Sequence, residues 1–195
     1  ALTSRRGNEA TPLLLAAARR LERLDIDLAR DTYVDAFAAA LFGGRLNDRV
    51  DVPDVAHAAR AAPRRSDDKP RAADLLLDAF SALTVDFDTA VPRCRDALQK
   101  ICGDKAASKE SLRWLWHATV IALELWDDEN SSFASHRHLE IARETGALSE
   151  LWVALSSRTP VLVFCGELSA AASLVAEAQL VSEATGISGT PYGAL

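Results

Sequence analysis

The chain has 195 residues, is 49% hydrophobic and carries a formal net charge of -6 from 28 acidic and 22 basic residues. That apolar content suits a chain that buries a real core, while the acidic balance excludes long-range attraction to nucleic acid, the one basic cluster, PRRSDDKPR, being interrupted by aspartates. No run of eighteen apolar residues offers a membrane span and no secretory signal opens the chain. The three cysteines, Cys94, Cys102 and Cys165, lack CxxC spacing, which fits a reducing compartment and a cytoplasmic location.

Taken in chain order, the apolar residues recur at helical spacing, and no stretch alternates as a strand would. Thr11-Pro12 reads as an N-cap followed by proline at N1, opening a helix over about 11–23. A second helix over about 27–42 ends at Gly43-Gly44, and a third covers 53–62. Residues 63–70 form a polar loop. Further helices are predicted at about 70–84, 88–102, 109–126, 132–145, 148–164 and 168–185, with Gly146 and Gly186 as terminators. The fold class is therefore all-α, with about nine helices in a single domain over 1–195. The closing PYGAL reads as the first turn of another helix, so the chain is expected to be a piece of a longer protein.

One spacing recurs. Glu167 leads to Ala171, Val175 and Ala178; Asp25 leads to Ala29, Tyr33 and Ala36; Asp86 leads to Ala90, Cys94 and Ala97. A fainter copy is Ser135, Leu139 and Ala142. Residues four and three apart share one helix face, and small side chains flanking a bulkier one let a partner helix approach closely. The preceding carboxylate suits the positive end of the helix dipole. This grammar predicts a degenerate, tetratricopeptide-like helical-hairpin solenoid, its copies starting at irregular intervals where that family's repeats average about 34 residues.

The phrases LARDTYVDAFAAALFGGRL, PRAADLLLDAF, LRWLWHATVIALELWDDE, IARETGAL, GELSAAASLVAEAQLVSEATG and PYGAL resemble the helical region of large ATP-binding LuxR-type transcriptional regulators, the maltose-activator-like kind. The resemblance lies in scaffold residues. It implies a sensor or protein-interaction segment that receives an inducer or protein partner and relays it to flanking ATPase and DNA-binding domains. No GxxxxGK[ST] phosphate loop occurs in the chain, so no ATP-binding residue is carried over and no cofactor is expected in this segment. Pro160 inside the eighth helix departs from a regular repeat, since a mid-helix proline costs about 3 kcal/mol unless the helix bends.

Candidate chemistry is sparse. Trp126-Asp127-Asp128-Glu129 resembles the aspartate-rich magnesium motif of helical terpene synthases, but Ser131 stands where a further carboxylate is needed, and acidic residues before a helix are ordinary caps. His136 and His138 point to different sides of a helix and read as solvated or packing side chains. Cys165 and Cys94 read as small buried hydrophobes. No nucleophile meets a base, so no enzyme is expected. Trp114, Trp116 and Trp126 share one predicted helix. If Ser135, Leu139 and Ala142 set the register, His117, Val120, Glu124 and Asp127 form a ligand or partner groove on that helix, or are capped by a neighbour. The alternative reading is a helical scaffold for protein association or homo-oligomerisation without a small-molecule ligand, and neither reading involves nucleic acid or a membrane.

Overall fold

The computed structural model describes residues 7–43, 50–65, 70–103 and 113–187, which contain nine helices and no strand. These are α1 (Gly7–Leu21), α2 (Ile26–Gly43), α3 (Val52–Ala61), α4 (Ala72–Leu83), α5 (Phe87–Cys102), α6 (Leu115–Glu124), α7 (Asp128–Thr145), α8 (Leu148–Phe164) and α9 (Leu168–Thr185). No described helix is long and apolar enough to cross a membrane. Residues 66–69 of the predicted polar loop, 109–112 of the predicted sixth helix and the closing PYGAL lie outside the described residues.

The helices gather into two compact units, Ala1–Ala97 and Leu98–Leu195, and the join falls inside α5. In the first unit α1 packs on α2, and α2, α3 and α4 pack on one another. Phe37 of α2 stacks on Phe80 of α4 with centroids 5.4 Å apart, beside fully buried Tyr33, Leu76 and Leu77. Burial and the nearby Glu22 carboxylate, which accepts from its hydroxyl, push the Tyr33 phenol far up. Arg30 is as buried as these apolar groups, and its Nε bonds Asp74 while both terminal amino groups are enclosed without an acceptor. Around it run the exposed pair Arg65–Asp27 and the part-buried pair Arg71–Asp31, each at 2.9 Å.

Helix starts follow local chemistry. Asp25 accepts from the Leu28 amide at 3.0 Å and Asp86 from the Thr89 amide at 3.1 Å, so two of the recurring carboxylates are side-chain N-caps, and Asp127 caps α7 in the same way by accepting from the Asn130 amide at 3.0 Å. Asp51 caps α3 reciprocally with Asp54, at 3.1 and 3.2 Å. Glu167 precedes α9 but makes no side-chain cap bond.

The start of α1 differs from expectation. Thr11-Pro12 does not open α1: the helix starts at Gly7 and runs through Pro12, which removes only the rung to the Asn8 carbonyl, while Thr11 is buried. As expected, α8 runs from Leu148 to Phe164 through Pro160, at the loss of the rung to Ser156. In the second unit α6 packs on α7, α7 on α8 and α8 on α9, and α6 also touches α8.

Candidate functional site

The corner after α6 and the corner after α8 are the same backbone motif. At the first, the Asp127 amide donates to the Ala122 carbonyl at 2.9 Å and the Trp126 amide to Leu123 at 3.2 Å. At the second, Glu167 donates to Leu162 at 2.8 Å and Gly166 to Val163 at 3.0 Å. Both patterns are the paired closing bonds of a Schellman C-cap, which require a left-handed residue just past the helix. Gly166 takes that position at φ 80°, and Trp126 takes it at φ 55°.

Trp126 is the only non-glycine residue with positive φ among those described. A Cβ in the left-handed region meets the following carbonyl at a cost of about 1–2 kcal/mol, so an indole here is a true outlier. The placement corrects the expectation that Trp126 lies on one helix with Trp114 and Trp116. Helix α6 ends at Glu124, because Asp127 already caps the next helix, and the chain must turn in the two residues between. The turn carries the ring outward, 76% exposed, where it meets Phe164 with centroids 5.6 Å apart and an interplanar angle of 57°. Phe164 is itself 62% exposed.

Between the two corners lies a hollow of about 40 Å³. Ala122, Leu123 and Val161 give it apolar walls, Trp126, Phe164 and Cys165 stand at one side, and Asp127, Asp128 and Ser131 complete it. The Asp127 carboxylate is held by its own helix, with Oδ1 accepting from the Asn130 amide and Oδ2 from the Asn130 side chain at 2.8 Å. Asp128, the next residue, is exposed. Among the described residues no group of three His, Cys, Asp or Glu side chains is placed to hold a metal.

Of the four residues expected to form a groove, only Asp127 lines this hollow. His117 is buried rather than presented to a surface, its ring set edge-on to Trp114 at 5.6 Å and to Trp116 at 4.9 Å. Val120 is half-buried on α6, and Glu124 is exposed at its last residue. Cys165 is exposed, not a buried hydrophobe, because it follows the last turn of α8 at the corner. Cys94 is buried.

The fainter copy of the repeat spacing, Ser135, Leu139 and Ala142, is buried along α7. Counted from the carboxylate that caps α7, the same spacing also picks out Ser131, Ser135 and His138, one helical turn earlier, and these three are buried as well. Polar residues thus fill a seam that is apolar or small in the other copies. Ser131 donates to the Asp128 carbonyl of its own helix at 3.2 Å, while from α8 Arg158 donates to the Ser132 carbonyl and to the Ser135 hydroxyl, each at 3.0 Å, and Glu150 Oε1 meets the His138 Nε2 at 2.5 Å. That hydrogen bond holds the Glu150 carboxyl below the usual glutamate range, against the opposing push of burial. His136 is exposed beside Glu140 on another side of the helix.

No protein-family model, curated protein or solved structure matches the chain.

Proposed function

We propose that this chain is a tetratricopeptide-like interaction segment of a cytoplasmic LuxR-type transcriptional regulator, which receives a partner at the Trp126–Phe164 corner and relays that event to flanking ATPase and DNA-binding domains. The single observation that carries an interaction role is Trp126, a mostly exposed aromatic side chain kept in a backbone conformation that disfavours it. Strained residues persist where the surrounding structure and function over-determine them. The regulator assignment rests on the resemblance of the scaffold phrases, and the packing of consecutive helices is compatible with a hairpin solenoid.

The size of the hollow favours a protein partner over a small inducer. Sites that engulf a small molecule run to about 300–1,000 Å³, against about 40 Å³ here, which admits the tip of one side chain. No catalytic role and no cofactor are proposed for this segment, and ATP is assigned to a flanking domain. The coding sequence on either side of residues 1–195 tests the regulator reading: a phosphate-loop ATPase before it and a helix-turn-helix after it support the reading, and their absence overturns it.

A second reading, a scaffold that associates with its own copies, is favoured by the exposed Phe164, Leu168 and Trp126 around one corner. Light scattering that shows a stable dimer, lost on Trp126→Gly, supports that alternative.

A further inference from the structure

We infer that the Trp126–Phe164 corner recognises a basic side chain, a lysine or arginine on an extended segment of the partner protein. This inference rests on the interaction role proposed above and names the chemistry of what binds. The two aromatic rings stand 5.6 Å apart and mostly in solvent, and a cation held over an indole face is drawn to the ring's negative quadrupole. The walls formed by Ala122, Leu123 and Val161 suit an aliphatic stem, and lysine and arginine bury such stems while keeping the head polar.

Charge selects in the same direction. Asp127 and Asp128 line the hollow, and no lysine, arginine or histidine does. Asp127 has both oxygens engaged by Asn130, so the exposed Asp128 is the carboxylate open to a ligand cation. The cation on the adjoining face of α8, Arg158, is occupied by Ser132 and Ser135. Beyond the corner, the chain's net charge of -6 favours the approach of a basic segment over an acidic one. A cation between rings and carboxylate needs no deep cavity, which accords with a hollow that takes a side-chain tip alone.

The test is a titration of the ¹⁵N-labelled chain with acetyl-Leu-Arg-Leu-amide, followed at the indole N–H resonance of Trp126, identified by its absence in Trp126→Gly. The same titration is run with the citrulline peptide, which keeps shape and loses charge. Expected are saturable movement of the Trp126 resonance with the arginine peptide and affinity for the citrulline peptide roughly fivefold weaker. Backbone resonances near Ser131 and Val161 respond in the parent chain and not in Trp126→Gly, which keeps the corner's conformation. Asp128→Asn weakens the arginine peptide and leaves the citrulline peptide unchanged. Equal affinity for the two peptides overturns the inference and leaves partner docking at this corner standing. Binding that is unchanged in Trp126→Gly, or no movement of the Trp126 resonance at millimolar peptide, overturns it as well, and neither result touches the coding-sequence test of the regulator reading.

Discussion

Trp126 and Gly166 occupy the same position of the same helix-ending motif, one at φ 55° and the other at φ 80°. What glycine does at no steric cost in one corner, the largest side chain does in the other. The difference separates what the backbone needs from what the ring supplies.

Replacing Trp126 separates these two quantities in a melt. Trp126→Gly relieves about 1–2 kcal/mol of left-handed strain and forfeits the Phe164 contact, worth about 0.5–1.5 kcal/mol, so it lies within about 1 kcal/mol of the parent. Trp126→Ala loses the same contact and keeps the strain. Thermal unfolding is expected to rank glycine above alanine by about 1 kcal/mol; alanine equal to or above glycine would show that the position carries no backbone strain.

The buried Arg30 gives a second prediction. Its guanidinium is anchored by Asp74 alone, with two amino groups lacking acceptors. Arg30→Met removes the charge and its unmet donors and is expected to be neutral or stabilising by about 1 kcal/mol, whereas Asp74→Ala leaves a buried cation and costs about 3 kcal/mol. Urea denaturation of both single variants and the double variant measures this. A double variant less stable than Asp74→Ala would refute the claim that the orphaned cation is what makes that change costly.

Acid sensitivity is expected to pass through the His138–Glu150 bond. Glu150 has a folded-state value below its unfolded one, so its contribution is present above the ordinary glutamate pKa and disappears as pH falls through the depressed value. Stability should therefore drop more steeply in the parent than in Glu150→Gln between roughly pH 5 and 3. Denaturant midpoints across that range give the comparison, and parallel curves would mean the pair contributes no pH dependence.

Thiol chemistry should distinguish the cysteines. Cys165 is exposed, while Cys94 and Cys102 are buried and the Cys102 thiol is pushed up to about 11 by burial, assisted by the negative charge of Asp127. Iodoacetamide at neutral pH is expected to add one group quickly to the native chain and the others only on unfolding. Intact mass against time reads the result; two adducts formed at one rate would contradict the burial of Cys94 or Cys102.

The periodicity of the sequence located α8 and α9 to the residue, because a Schellman glycine and a clean apolar pattern mark both ends of their shared corner. It placed the start of α7 four residues late, at 132 rather than Asp128. The acidic run hid which carboxylate is the cap, so Ser131 and His138 were not joined to Ser135 as buried positions at the repeat spacing. Those positions are polar, and a hydrophobic pattern cannot reveal them until the partner groups Arg158 and Glu150 on α8 are known. Only Asp127 of the expected groove lines the hollow. Nothing local marks a tryptophan for positive φ; the one available signal was the likeness of Trp126-Asp127-Asp128 to Gly166-Glu167-Leu168 when the two corners are set side by side.

A side chain held just past a helix end owes little to the core. The ring of Trp126 displaces no interior volume, so exchanging it asks no neighbouring helix to repack. Single codon changes at this corner can retune what the surface recognises while the fold stays within its margin of stability, which makes it a place where binding preference can drift without a compensating second mutation.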